Sequence, residues 1–104
     1  MKSKTILVTT SLIAAARIAS AADAAENWTK YCTSCHAKDG SGSTVMGKKS
    51  GAENYQDAKV QAKFTDAQAM DIIKNGKEKM KAFKDKLTDD EIKALVAYIR
   101  AFKK

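Results

Sequence analysis

The clearest hydrophobic pattern lies at the C-terminal end. Ile92, Leu95, Val96, Ile99 and Phe102 recur at helical spacing, while Lys93, Arg100, Lys103 and Lys104 fall outside the stripe. Thr88-Asp89-Asp90-Glu91 precedes them as a capping box, with acids at the positive end of the helix dipole. A second box, Thr65-Asp66-Ala67-Gln68, opens a stripe of Ala69, Met70, Ile72 and Ile73 that Gly76 stops. Upstream, D-A-A-E places Asp23 as a cap, and a first helix is predicted from there through Trp28 and Tyr31 to about Cys35. Gly40-Ser41-Gly42-Ser43 through Gly47 and Gly51 reads as loop. A short helical piece is expected over about 53–63. No segment alternates as a strand does, and no repeat or nucleotide-binding glycine motif is present. The pattern predicts an all-α domain.

The first residues change the picture of what is mature. Met-Lys-Ser-Lys, an apolar run from Thr5 to about Ile18 and Ala19-Ser20-Ala21 follow the layout of a cleavable secretory signal, expected over residues 1–21. The run is shorter than the ~20 apolar residues of a membrane span, and Arg17 interrupts it. Removing it takes away Lys2, Lys4 and Arg17 and no acid, lowering the net charge from +7 to +4. The remaining domain, 22–104, is small enough to need a staple such as a metal, disulfides or a cofactor. Two cysteines three residues apart close too short a loop to serve as one.

Cys32-Thr33-Ser34-Cys35-His36 is C-x-x-C-H, the haem-attachment signature. Thiols at i and i+3 on a helical turn point to one side and can reach the two vinyl groups of a porphyrin. The next residue, His36, can then turn its imidazole to the iron. A structural zinc site wants four ligands, and Cys32, Cys35 and His36 are the only soft or imidazole ligands available. A redox disulfide of the thioredoxin kind needs a βαβ setting that the pattern lacks. Covalent haem c is therefore the expected cofactor, one per chain.

For the iron's sixth position three methionines remain beyond Met1. Met70 sits on an apolar helix stripe and is expected in the core. Met46 lies in the glycine-rich loop and stays open as a ligand. Met80 lies between two well-capped helices with Phe83 nearby and is favoured, because loops flanked by rigid elements position functional groups.

On these residues the chain resembles the class I c-type cytochromes along nearly all of 22–104. The resemblance rests on C-T-S-C-H, on Ala24 and Trp28 eight and four positions before Cys32, on Met80 in K-M-K-A-F, and on the final A-L-V-A-Y-I-R with Leu95 and Tyr98. It implies three to four helices wrapped around one haem, with the first and last helices crossing. It also implies His36 and Met80 as the two iron ligands. Three departures stand out. Lys81 follows Met80 where the family usually has proline, no proline follows His36 to offer its carbonyl to the imidazole, and Ala37 replaces the usual glycine.

The function expected is one-electron transfer between redox partners, without chemistry on a substrate. Lys74, Lys77, Lys79, Lys81, Lys84 and Lys86 crowd 13 residues around Met80 and are expected to meet acidic docking surfaces. A solvated loop is the plain alternative. Trp28, Tyr31, Tyr98 and Phe102 are expected in the core or against the haem, and Tyr55 at a haem propionate or as a loop anchor. Export points to the periplasm, with a photosynthetic lumen second, and to a monomer without nucleic-acid or stable membrane partners. Three readings remain beside the carrier: a haem subunit of a larger complex, a sensor or enzyme with an open haem position, and a periplasmic thiol–disulfide oxidoreductase.

Overall fold

The structure, a computed structural model, describes residues 21–104. The leader expected over 1–21 lies outside the described residues apart from Ala21. Six helical segments follow: α1 (Ala21–Tyr31), α2 (Thr33–His36), α3 (Val45–Ser50), α4 (Ala58–Gln61), α5 (Asp66–Asn75) and α6 (Asp89–Arg100). Among the described residues there is no strand, only an isolated bridge between Lys77 and Met80. The three long helices are those the hydrophobic pattern indicates.

Both central capping boxes form. Thr65 Oγ1 accepts from the Gln68 N–H while the Thr65 N–H donates to Gln68 Oε1, and Thr88 and Glu91 exchange the same pair of bonds. Asp23, expected at the start of the first helix, lies within the first turn of α1. The first helix does not run unbroken to Cys35. Thr29 Oγ1 donates to the Ala25 carbonyl and Thr33 Oγ1 to the Thr29 carbonyl, back-bonds that bend helices, and the segment interrupts at Cys32. The cysteine-bearing turn is thereby a separate element, α2.

The core holds Ala24, Trp28, Val60, Ala69, Ile73, Leu87, Ile92, Leu95, Val96 and Ile99. Adjacent residues of α1 reach distant parts of the last helix: Asn27 donates to Glu91 at its start, while the Trp28 ring packs on Tyr98 and on Phe102 beyond its end. Glu91 and Phe102 lie eleven positions apart, on the order of 16 Å along a helix axis. Helices lying side by side would not spread two neighbours so widely, so α1 and α6 cross. Gln61, the one buried polar side chain among the described residues, donates to the Tyr55 and Ile99 carbonyls. Arg100 donates to the Gln61 and Phe64 carbonyls and pairs with Asp66 at 2.8 Å, tying the α4–α5 connection to the end of α6.

Two segments depart from expectation. The helical piece expected over 53–63 shrinks to α4, capped by Asp57. The glycine-rich stretch holds a helix, α3, capped by Thr44, whose hydroxyl accepts from the Gly47 N–H and donates to the Ser34 and Cys35 carbonyls. These bonds set α3 directly on α2.

Candidate functional site

A cleft opens between α2 and the segment joining α5 to α6, with about 470 Å³ of space counting the part open to solvent. Cys32, His36 and Met80 line it together with Trp28, Tyr55, Phe64, Ala69, Ile72, Ile73, Leu95 and Ile99. Three residues singled out from sequence thus share one apolar space. Cys35, on the same turn, is half-buried and not among the lining groups. Met46 is 54% exposed on α3 and does not face the cleft, which separates it from Met80. Met70 is half-buried and packs against the core.

The Cys32–His36 turn is held from two sides. The buried Trp28 indole N–H is shared between the Ala37 and Lys38 carbonyls, at 3.2 and 3.3 Å, which fixes the chain just after His36. On the other side Thr44 grips the Ser34 and Cys35 carbonyls. The Tyr55 ring stacks on the His36 imidazole with centroids 5.1 Å apart and planes at 26°. That contact had no signal in the sequence, nor did the cleft positions of Phe64 and Ile72.

No disulfide joins Cys32 and Cys35. Burial pushes Cys32 up to about 12, so it stays protonated at neutral pH and is a poor nucleophile for disulfide exchange. Burial also holds His36 below its ordinary value, with the Glu53 backbone carbonyl and carboxylate acting in the opposite sense. The imidazole is then neutral at pH 7, as a metal ligand must be. Its Nδ1 is buried and without a hydrogen-bond partner among the described residues.

This arrangement fits a covalently attached haem. An apolar cleft, two unbridged cysteines on one turn and an imidazole with a buried, unpaired nitrogen beside them suit that group. No cluster of three or more His, Cys, Asp or Glu groups among the described residues is placed to hold a metal ion by itself.

Met80 is presented by a tight turn. The Lys77 N–H donates to the Met80 carbonyl at 3.1 Å and the Met80 N–H to the Lys77 carbonyl at 2.9 Å. The six lysines around it are exposed but not alike. Lys74 pairs with Asp89 at 3.2 Å, Lys79 Nζ donates to the Lys49 carbonyl at 3.1 Å, and Lys86 lies over the Tyr31 ring. Val45 and Met46 are the large apolar side chains left exposed among the described residues. No helix among them is long and apolar enough to cross a membrane.

Residues 19–99 match the model of the family described as cytochrome C oxidase, cbb3-type, subunit III. Among solved structures the chain is similar to one titled KustC0563 c-type cytochrome, with 40% identity and a TM-score of 0.73, covering 78% of this chain and 98% of that one. A structure of a Kustc0563 mutant with tyrosine changed to phenylalanine is similar at 40% identity and a TM-score of 0.71, covering 78% of this chain and 99% of the other. No curated protein matches. Membership carries with it the family's covalently bound haem c, and the small domain suits a single one. The chain belongs to this cbb3-type subunit III family and is a small class I c-type cytochrome.

Proposed function

We propose that the protein is a one-electron carrier rather than an enzyme, with haem bonded through Cys32 and Cys35 and its iron ligated by His36 and Met80. The observation that carries this reading is that Cys32, His36 and Met80 line a single apolar cleft while Met46 faces away. Bound there, the group supplies a reversible Fe(III)/Fe(II) couple.

The chain's residues do the rest. Cys32 and Cys35 offer the two sulfurs for thioether bonds, and His36 offers a neutral nitrogen on a turn whose backbone Trp28 and Thr44 hold and whose imidazole Tyr55 stacks against. Met80 supplies a soft sulfur, which favours Fe(II) and raises the potential. Ile72, Ile73, Leu95 and Ile99 keep water from the cleft, which acts in the same direction. Held by His36 and Met80, the group would have no position left for a substrate and would supply one-electron exchange between a protein donor and a protein acceptor. The exposed Lys77, Lys81 and Lys84 suit partners with acidic docking surfaces, met in the periplasm.

The matched family's description favours a second reading, in which the domain docks permanently as a haem subunit of a larger oxidase. Size-exclusion of native extract separates the two, since a free carrier elutes as a monomer. The dithiol oxidoreductase reading is opposed by membership of a c-type cytochrome family, whose C-x-x-C-H cysteines bond haem. The test of attachment is the intact mass of protein matured with the haem-attachment machinery. One haem is expected on the unaltered chain and none surviving acid–acetone extraction in the C32A/C35A double variant. Two free thiols and no added mass on the unaltered chain would contradict the reading.

A further inference from the structure

Among the described residues, only Ala37 (φ 63°) and Glu78 (φ 53°) are non-glycine residues in the left-handed region. One follows His36 directly, and the other stands two positions before Met80. Left-handed backbone at a residue with a Cβ costs free energy and persists only where the surroundings over-determine it.

At Glu78 the surroundings are explicit. Reciprocal bonds between Lys77 and Met80 close a two-residue turn with Glu78 and Lys79 at its centre. Positive φ at the first central residue alone marks the turn type whose first position glycine normally fills. Both flanks are anchored. Gly76, itself at φ 78°, lets the Met80 carbonyl pass where a Cβ would meet it at 2.8 Å. Beyond the turn, the Phe83 and Lys84 N–H groups donate to the Ile73 and Lys74 carbonyls at 2.9 and 3.1 Å, fastening the chain to the end of α5. Lys81 stands where a proline would stiffen the chain, so the rigidity behind Met80 comes from this turn. The Glu78 side chain is exposed, and a substitution there acts through the backbone.

We infer that Glu78 is a positioning residue for Met80: its left-handed backbone is the conformational cost that sets how tightly the Met80 sulfur is held at the iron. The inference rests on the reading of Met80 as the distal ligand. A residue that relaxes the turn strengthens ligation, and a residue that opposes positive φ weakens it.

The test compares unaltered holoprotein with E78G and E78V. Imidazole is titrated into the ferric form and followed by loss of the weak far-red band of methionine sulfur on ferric iron. Carbon monoxide is titrated into the ferrous form. Relative to the unaltered protein, E78G is expected to bind both competitors several-fold more weakly and E78V several-fold more tightly, with roughly tenfold between the two variants. Opposite shifts are not what general destabilisation produces. Equal affinities in all three proteins, or shifts of one sign in both variants, would overturn the inference. If E78V does not take up haem, E78G decides alone, and affinities no weaker than the unaltered protein's overturn it. Absence of the far-red band from the unaltered protein would instead overturn the Met80 reading, and this inference with it.

Discussion

Gly47 of α3 stands directly against the carbonyl oxygen of Cys35, so that any Cβ at this position would overlap that oxygen. The same Cβ would come to 2.5 Å from the Gly42 carbonyl and 3.0 Å from the Thr44 hydroxyl. The glycine is what allows a helix to rest on the turn bearing both cysteines. Replacing Gly47 with Ala should push α3 off that turn, at about 2–3 kcal/mol. The check is the urea midpoint of the holoprotein, with haem yield as a second readout. An unchanged midpoint would mean that α3 does not sit where described.

Ala37 makes the opposite case. Its backbone, φ 63° and ψ 163°, lies in a region almost reserved for glycine. Its carbonyl is nevertheless held by Trp28. Ala37→Gly should raise stability by about 1 kcal/mol or more, seen as a higher urea midpoint with unchanged slope. A fall in midpoint would show that the chain does not take this conformation.

Tyr55 gives a pH signature. Burial, with the Glu53 charge second, pushes its hydroxyl from 10.0 up to about 12. The folded state therefore keeps the proton over a range in which the unfolded chain releases it. Stability from this group is complete below pH 10 and is lost progressively between pH 10 and about 12. Urea midpoints of the unaltered protein should fall more steeply across that window than those of Tyr55→Phe. Parallel curves would contradict the burial of the hydroxyl.

How much of this was legible in sequence depended on whether a feature was local. The Thr65 and Thr88 boxes and the α6 stripe are short-range patterns, and each appears in its expected place. Ala24 and Trp28 were legible through resemblance, and both are buried. The α3 helix was not. It is six residues long, carries a glycine and has no apolar stripe, and it is fixed by Thr44 bonding to carbonyls ten and nine residues away. The break at Cys32 is flanked by two threonine back-bonds, which bend helices, inside an otherwise helical sequence. The stacking of Tyr55 on His36 and the pairing of Lys74 with Asp89 are tertiary contacts that no spacing encodes.

The lysines around Met80 lead to a rate prediction. Lys77, Lys81 and Lys84 are exposed, whereas Lys74 is already paired with Asp89. Converting those three to Glu should slow electron uptake from an acidic flavodoxin semiquinone on the order of tenfold at low ionic strength, the difference closing as salt is raised. Stopped-flow rates at two ionic strengths measure this. Equal rates at low salt would mark the lysines as a solvated loop.

A carrier closed by His36 and Met80 is distinguished by the ferric absorption spectrum of the unaltered protein beside Met80→Ala and Met46→Ala. A far-red methionine–iron band is expected in the unaltered protein, kept in Met46→Ala and lost in Met80→Ala while the haem stays covalently attached. A band that survives Met80→Ala, or disappears with Met46→Ala, would contradict it.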